Sequence, residues 1–350
     1  MRLTVEPITL HLKTPFRIAH GTSTARYNVL VHLGDGVGEA ALAPQYGYTQ
    51  ADVAAYVEGL DLDALGGDDP LALEESLDRL PAGPPPARAA VDVALHDLWG
   101  RRLGHPLYRL WGLSPARCPL SSLTLSIAAD EQDMRRQVRE ARGFPILKLK
   151  LGSGDVALDE ALVRAARQET DVRLCVDANS AWSVDEAAGV IPRLAAYDLL
   201  FIEQPIAAAE VQDWHALRRR LPSDMPPLVA DESVHQAADI TALVGAVDGV
   251  NIKLAKAGGL GEARCMITLA RALGMRVMLG CMVESSVGIT AAVHLAPLAD
   301  WADLDGNLSI LADPYDGARM TQGRLDFPDG PGLGVTRRSE REQDGNETGK

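Results

Sequence analysis

The sequence predicts an α/β fold in which a (β/α) barrel follows a smaller α+β domain. Eight short apolar runs alternate with stretches of helical length, which is typical of buried parallel strands joined by helices. Charged residues end five successive runs at intervals of 27, 26, 28 and 22 residues, close to one strand plus its returning helix. They are Lys150, Asp177, Glu203, Asp231 and Lys253. Eight such units favour a barrel over an open sheet, and the carboxyl ends of barrel strands form the mouth.

The predicted strands and the helices between them follow in chain order. The apolar runs, with the polar residues that end them, cover 120–127, 146–150, 172–179, 199–205, 228–233, 250–254, 276–282 and 301–305. Helices are predicted over 157–168 and 260–273, the second with Gly274 where a C-terminal cap would stand. Ser183 and Glu186 have the spacing of a capping box, which predicts that another helix begins there.

The first 112 or so residues have a different pattern and predict a separate α+β domain. Strand-like runs over 5–12 and 28–33 lead into Gly34-Asp35-Gly36, a hairpin-type turn. Helices are predicted over 51–60 and 71–80, and an apolar one over 87–99 after the proline-rich residues 81–86. The chain becomes irregular after Asp305, and residues 337–350 are polar enough to predict a disordered tail.

Composition excludes several classes of function. A net charge of −14 without a basic stripe argues against nucleic-acid binding. No run approaches the ~20 apolar residues of a membrane helix, and the N-terminus lacks an apolar signal region, so we expect a cytoplasmic protein. The four cysteines have no C-x-x-C spacing. We expect buried, reduced thiols and neither a zinc site nor a disulfide framework.

The charged strand ends predict a metal site. Side chains alternate along a strand, so Lys148 and Lys150 share the face that points into the barrel. Asp177, Glu203 and Asp231 would converge at the mouth, where three like charges need a counter-ion. Because these strand ends carry oxygen ligands and neither histidine nor cysteine, we predict Mg²⁺.

The lysines on either side of this trio predict proton transfer. Lys150 ends the second strand and Lys253 the sixth, so in a closed barrel they approach a metal-bound ligand from opposite sides. A nearby cation lowers the pKa of a lysine towards values useful for a general base. Taken singly, each residue also has a structural interpretation: Lys-x-Lys as a solvated strand edge, and a strand-end aspartate as a helix N-cap. Their equivalent places on successive strands favour chemistry.

Together these residues resemble the enolase superfamily, and within it the muconate lactonizing enzyme subgroup. The resemblance spans nearly the whole chain, from Thr14-Pro15-Phe16 to residues 330–334. The motifs that carry it are Lys148-Leu149-Lys150, Asp177-Ala178-Asn179, Glu203-Gln204-Pro205, Asp231-Glu232-Ser233, Asn251-Ile252-Lys253 and Lys256-Ala257-Gly258-Gly259.

The resemblance implies a domain organisation. Residues 1–113 would form an N-terminal α+β capping domain, and residues 114–312 a (β/α)7β modified TIM barrel. Residues 313–336 would return to the cap, before the tail of 337–350. A capping loop over residues 20–25 would close over the substrate.

The resemblance also implies roles for the charged residues. Asp177, Glu203 and Asp231 would bind Mg²⁺, and Lys150 and Lys253 would be the acid/base pair. The step that such enzymes share is removal of a proton α to a carboxylate, giving a metal-stabilised enediolate. Asn179 and Glu232 would support the ligands.

Asp303-Leu304-Asp305 is the informative signature within the subgroup. It resembles the Asp-x-Asp of dipeptide epimerases, whose last barrel strand presents carboxylates to the α-ammonium group of a dipeptide. Thr124 on the first strand also resembles that group, and Lys148 and Met282 complete the candidate substrate-binding residues. The alternative is that both aspartates only cap the turn before Gly306.

The predicted function is therefore a Mg²⁺-dependent isomerase that inverts the α-carbon of the C-terminal residue of a dipeptide by two-base 1,1-proton transfer. The alternatives are an o-succinylbenzoate synthase/N-acylamino acid racemase or a muconate cycloisomerase of the same subgroup. The side-chain preference stays open, because Gly21 stands near the position of a basic residue in relatives that take L-Ala-D/L-Glu, while Arg17 and Arg26 lie nearby. Barrels of this family often assemble, so a homo-oligomer is expected.

Overall fold

A three-stranded antiparallel sheet opens the computed structural model, which describes residues 2–61, 72–208 and 210–339 of the 350. Its strands are β1 (Leu3–Ile18), β2 (Gly21–Leu33) and β3 (Gly36–Ala40), in that order. The helices of this part are α1 (Gln50–Glu58), α2 (Leu73–Asp78), α3 (Pro85–Leu103) and α4 (Leu107–Leu110). The predicted hairpin turn is confirmed, since β2 and β3 pair from Leu33 and Gly36 outward.

Strands β1 and β2 and helix α3 extend furthest beyond their predicted bounds, while α1 and α2 differ from theirs by one or two residues at each end. Strands β1 and β2 extend beyond the prediction over residues 13–18 and 21–27. These segments are mostly exposed and are held as strands by pairing with each other, as at Phe16 and Ser23. Helix α3 begins at Pro85 rather than at residue 87, since proline needs no hydrogen-bond partner in the first turn of a helix. Residue 71, predicted to begin a helix, lies outside the described residues.

Two glycines explain how α3 packs on the sheet. A Cβ atom at Gly38 would lie 2.0 Å from the carbonyl oxygen of Ala90, and one at Gly36 would lie 2.3 Å from that of Ala94. Only glycine therefore lets the helix backbone lie directly on β3. This contact fixes the middle of α3, from Ala90 to Leu98, against the sheet.

Eight parallel strands close into the predicted barrel. They are β4 (Leu123–Leu125), β5 (Ile146–Lys150), β6 (Arg173–Asp177), β7 (Leu199–Glu203), β8 (Leu228–Ala230), β9 (Gly249–Ile252), β10 (Arg276–Gly280) and β11 (Trp301–Asp303). Neighbours in the sheet follow chain order, and a parallel bridge between Ser121 and Ala302 joins the first strand to the last. The eight-strand prediction is confirmed.

Helices surround the barrel. They are α5 (Glu131–Glu140), α6 (Val156–Glu169), α7 (Val184–Leu194), α8 (Val211–Arg220), α9 (Ala237–Ala242), α10 (Leu254–Ala257), α11 (Leu260–Ala272) and α12 (Ser286–Leu295). The predicted capping box of Ser183 and Glu186 begins α7. Among the described residues, none of these helices has the length and apolar character needed to cross a bilayer.

The bore of the barrel is layered. An apolar cluster fills its lower part with Ile146, Cys175, Phe201, Val229, Met278 and Trp301. Two residues further along the strands the inward side chains are polar. On β5, for example, Ile146 belongs to the apolar layer, and Lys148 and Lys150 follow it on the same face; all three are buried. The apolar layer thus closes the bore beneath the charged mouth.

The C-terminal residues pack back against the N-terminal part. Short strands β12 (Tyr315–Asp316), β13 (Arg319–Thr321), β14 (Arg324–Asp326) and β15 (Thr336–Arg337) follow the barrel. The amide of Leu333 donates to Asp97 Oδ1 on α3 at 2.7 Å. Residue 337 was predicted to begin the disordered tail, but Arg337 lies in β15 and binds Glu6 through two hydrogen bonds. Residues 340–350 lie outside the described residues.

The four cysteines do not form disulfides. Cys175 is buried as predicted, and Cys118 and Cys281 are half-buried. The prediction that all four are buried is wrong for Cys265, which is exposed on α11.

Candidate active site

Three carboxylates meet at the mouth of the barrel. Asp177 and Glu203 end β6 and β7, and Asp231 directly follows β8, so neighbouring parallel strands deliver them to one edge. One oxygen from each lies within 4.8 Å of the others, and all three side chains are fully buried. The convergence predicted from their spacing is thus present.

The buried carboxylates differ in their proton affinity. Burial raises the pKa of Glu203 to about 7, and the charge of Asp177 adds to this effect. Burial also acts on Asp177, but Lys150 and Lys148 outweigh it and hold its pKa at about 2. For Asp231, Lys253 and Lys256 likewise outweigh burial and keep the pKa well below its usual range.

The residues present fit a hard divalent cation. The three candidate ligands offer only oxygen atoms, which suits Mg²⁺. Glu203 Oε2 is buried where the three carboxylates converge and lies 2.6 Å from Lys148 Nζ, so positive charge already stands beside it. Asn251 Nδ2 donates to the other oxygen, Oε1, at 2.7 Å and fixes the orientation of the carboxylate.

Two lysines flank the triad from opposite strands. Lys150 Nζ donates to Asp177 Oδ2 at 2.6 Å, and Lys253 Nζ donates to Asp231 Oδ2 at 2.7 Å. Both line a cavity of about 620 Å³ between the barrel mouth and the N-terminal sheet. Burial lowers the pKa of Lys253, but Asp231 and Glu203 outweigh it and leave the pKa well above its ordinary value.

Lys148 lies one layer deeper than Lys150. Its Nζ is 2.6 Å from Glu203 Oε2, 2.8 Å from Asp303 Oδ2 and 3.2 Å from Asp177 Oδ2. The side chain is 1% exposed and does not line the cavity. The structure therefore brings Lys148 to the carboxylates and away from the cavity surface.

The aspartates of the last strand face Thr124 on the first. Asp303 Oδ1 accepts from Thr124 Oγ1 at 3.1 Å, and Asp305 Oδ2 accepts from the Thr124 amide at 2.6 Å. All three residues line the cavity, as does Met282 after β10. Closure of the barrel between β4 and β11 brings Thr124 next to the two aspartates.

Asn179 and Glu232 lie beside the triad. The Asn179 amide donates to Asp177 Oδ1 at 2.9 Å, and its Nδ2 donates to Glu232 Oε1 at 3.1 Å. Burial raises the pKa of Glu232 to about 7, with the charge of Asp231 next in effect. His20 of the capping loop comes within 4.0 Å of Glu232.

Two more residues lie at the site that the sequence analysis named but did not include among the candidate site residues. Lys256, in the turn after Lys253, donates to both Oδ1 and the main-chain oxygen of Asp231. Its signal in the sequence was the motif Lys256-Ala257-Gly258-Gly259. Arg26 lines the cavity at 6% exposure, and its guanidinium group donates to the carbonyl of the neighbouring Ala25. Arg17 also lines the cavity but is exposed. Burial lowers the pKa of Arg26.

The fold and the site together define a (β/α)-barrel protein with a metal-type acidic triad between two lysines. The chain belongs to the mandelate racemase/muconate lactonizing enzyme family of the enolase superfamily. The N-terminal domain model of that family matches residues 2–112, and the model described as enolase C-terminal domain-like matches residues 133–341.

Curated relatives and solved structures match over nearly the full length. An L-Ala-D/L-Glu epimerase from Bacteroides thetaiotaomicron is 39% identical over 345 residues, which are 96% of this chain and 88% of the relative. A hydrophobic dipeptide epimerase from Roseobacter litoralis is 36% identical, covering 94% and 98%. The structure of a dipeptide epimerase from Enterococcus faecalis, complexed with Mg and L-Leu-L-Tyr, is 31% identical. It superimposes with a TM-score of 0.86, covering 96% of this chain and 99% of that one.

Proposed function

We propose that this protein is a Mg²⁺-dependent dipeptide epimerase that inverts the α-carbon of the C-terminal residue by two-base 1,1-proton transfer. The observation that carries the proposal is the placement of Lys150 and Lys253 on opposite strands, each hydrogen-bonded to a different member of the acidic triad. The family and the dipeptide epimerases among its relatives support the same reaction class, an isomerase.

Asp177, Glu203 and Asp231 are the residues that would hold Mg²⁺. When bound, the ion supplies positive charge against the negative charge that builds up on the substrate carboxylate as the α-proton leaves. Asn251 and Lys256 keep the carboxylates of Glu203 and Asp231 in place through the hydrogen bonds described above. Such outer partners set how firmly the ligands are oriented.

Lys150 and Lys253 would exchange roles with the direction of the reaction. One lysine removes the α-proton from its side of the substrate carbon, and the other delivers a proton to the opposite side. Two bases on opposite faces invert the configuration, whereas a single base would return the proton to the face it came from. Residues from β1 and β2 line the same cavity as the two lysines.

The remaining charges of the cavity suit a dipeptide. The carboxylates of Asp303 and Asp305 would receive the α-ammonium group through charge-assisted hydrogen bonds. Arg26 favours a second residue with an acidic side chain, because it is a buried cation without a carboxylate partner among the described residues. Arg17 is exposed and can adapt to several side chains. A homo-oligomer and a cytoplasmic location stay predictions, and light scattering on a sizing column tests the first.

The test is deuterium exchange of a pooled L,L-dipeptide library with the protein and Mg²⁺ in D₂O, followed by mass spectrometry. We expect a one-dalton gain in particular dipeptides, acidic second residues foremost, and loss of that gain after chelation. Exchange in no dipeptide would overturn the proposal and direct attention to succinylbenzoate and muconate substrates.

Single-lysine variants test the two-base mechanism. Lys150→Ala and Lys253→Ala should each lower epimerisation at least about 10²-fold, since each removes one acid/base group. Each variant should still exchange the α-proton of one epimer, and the two variants should retain opposite epimers. Lys13→Ala, which removes an exposed lysine on β1, is the control and should retain both activities. Interconversion of epimers by either active-site variant at the wild-type rate would refute the two-base assignment.

A further inference from the structure

Two buried aspartates outside the acidic triad hold the loops that follow the two acid/base lysines. Asp159 lies in the first turn of α6 and is 1% exposed, and Asp92 lies on α3 of the N-terminal domain and is 2% exposed. Neither lines the cavity of the candidate active site. Each carboxylate accepts hydrogen bonds from two main-chain amides, so each fixes a stretch of backbone.

Asp159 fixes the loop after Lys150. Its Oδ2 accepts from the Gly152 amide at 3.1 Å, and its Oδ1 accepts from the Ser153 amide at 3.0 Å. These amides belong to the second and third residues beyond the lysine. Trp182 Nε1 donates to the same Oδ2 at 2.9 Å and orients the carboxylate. The end of β5 therefore continues into backbone that is held in place.

Asp92 fixes the start of α11. Its Oδ1 accepts from the Leu260 amide at 2.6 Å, and its Oδ2 accepts from the Gly261 amide at 3.2 Å. The first amides of a helix have no partner within it, and the N-cap residue Gly259 has no side chain to offer. A Cβ at Gly259 would lie 2.2 Å from Asp92 Cγ. The aspartate of α3 therefore takes the place of the N-cap side chain.

Helix α10 carries this anchorage back to Lys253. The amides of Lys256 and Ala257 donate to the Lys253 carbonyl at 3.0 and 2.9 Å, and the Gly259 amide donates to the Leu254 carbonyl at 3.2 Å. Main-chain hydrogen bonds thus run from the lysine to the capped end of α11. A shift at the cap would be transmitted along this single turn to the lysine.

We propose that Asp159 and Asp92 are positioning residues, each for one face of the substrate carbon: Asp159 for Lys150 and Asp92 for Lys253. The assignment deepens the proposed function and rests on it. A misplacement of about 1 Å can lower the rate of a positioned reaction about 10²-fold. Because β5 and β9 lie four strands apart in the eight-stranded barrel, loss of one anchor should displace one lysine and leave the other in place.

Epimer-resolved deuterium exchange tests the assignment. The α-proton exchange of each epimer of one accepted dipeptide is followed at saturating Mg²⁺ and substrate, and the two lysine-to-alanine variants show which epimer each lysine serves. Asp159→Asn should lower kcat about 10- to 100-fold for the Lys150 epimer, and Asp92→Asn should do so for the Lys253 epimer. Exchange of the other epimer should stay near the wild-type rate. Each variant is the matched control for the other.

Two further variants disturb the same contacts and keep both carboxylates. Trp182→Phe removes one donor to Asp159, and Gly259→Ala places a methyl group against Asp92. Each should lower exchange of the same epimer as the corresponding asparagine variant. They decide the assignment even if an asparagine variant does not fold.

Hydrogen exchange of the backbone gives a readout that needs no substrate. It should accelerate over residues 151–154 in Asp159→Asn and over residues 256–261 in Asp92→Asn. An equal loss for both epimers, as a general structural defect would give, or unchanged kcat for both epimers in all variants, would overturn the assignment. Failure of the wild-type protein to exchange any dipeptide would overturn the proposed function. Backbone exchange would then still decide whether the aspartates hold these loops, and unchanged rates in both segments would refute that.

Discussion

Glu39 of β3 fixes the N-terminal sheet to the barrel, and its removal should be among the more damaging single changes outside the active site. The carboxylate is 5% exposed and reaches the first turn of α12. Oε2 accepts from the amide of Gly288 at 3.1 Å and from Ser285 Oγ at 2.6 Å, and the Ser285 amide lies 3.0 Å from both oxygens. Asn28 Nδ2 donates to Oε1 at 2.9 Å.

The stability lost in Glu39→Ala follows from the hydrogen-bond donors that the substitution leaves without an acceptor. Asn28 Nδ2 keeps a second acceptor in the Val283 carbonyl, and Ser285 Oγ still accepts from the Val287 amide. The amides of Ser285 and Gly288 lose their acceptors, because the first amides of a helix have no partner within it. At about 1–3 kcal/mol for each buried donor left unpaired, the variant should lose about 2–6 kcal/mol of unfolding free energy.

Urea unfolding followed by circular dichroism measures this loss. The midpoints are compared between variants whose unfolding free energy depends on urea concentration with the same slope. The control is Asp155→Ala, which removes an exposed N-cap that accepts from the amides of Ala157 and Leu158 on α6. An exposed cap is worth about 1 kcal/mol. Hydrogen exchange of the peptide over residues 283–290 should also accelerate in Glu39→Ala. A loss no larger than that of the control, with unchanged exchange, would refute the reasoning.

Three further predictions concern pH, backbone packing and the metal. Burial lowers the pKa of His294 to about 4, so as the pH falls this histidine is protonated in the unfolded chain before it is protonated in the folded protein. The free energy of unfolding should therefore fall by on the order of 3 kcal/mol between pH 6.5 and 4 in urea titrations. The fall should be smaller in His294→Asn. In thermal melts Gly38→Ala should destabilise the fold through its clash with α3, whereas Gly189→Ala on exposed α7, where a Cβ meets nothing closer than 3.8 Å, should stabilise it by about 0.5–1 kcal/mol. Mg²⁺ at a hundred times its Kd should add about 2.7 kcal/mol of stability in the same melts, and chelation or Glu203→Gln should remove that gain.

The sequence sufficed to predict the barrel because its strands are buried on both faces. Apolar runs of this kind are visible in the sequence, and the interval between them equals one crossover. The outer parts of β1 and β2 were missed because residues 13–18 and 21–27 are mostly exposed and carry no apolar alternation. Their strand conformation comes from pairing with each other, which local pattern does not encode.

In the candidate site, too, features set within a single strand were predictable and features set by tertiary contacts were not. Alternation along a single strand was enough to place Lys148, Lys150 and Asp177 on the inward face. Alternation could not show that Ser122 approaches Asp303, because that contact exists only once β4 and β11 close the barrel. Arg26 was noted near the substrate loop, but its burial without a carboxylate partner depends on the packing around β2.

The charges at the mouth explain why so many ionisable groups tolerate burial. Four buried lysines face four buried carboxylates there: Lys148, Lys150, Lys253 and Lys256 with Asp177, Glu203, Asp231 and Asp303. Formal charges therefore balance within the cluster, although each strand or loop contributes only one or two of them. Removing one partner leaves a buried charge unpaired, which lowers the free energy of unfolding by about 3–5 kcal/mol. Stability and site geometry are thus coupled, and a conservative substitution at any of the eight residues changes both.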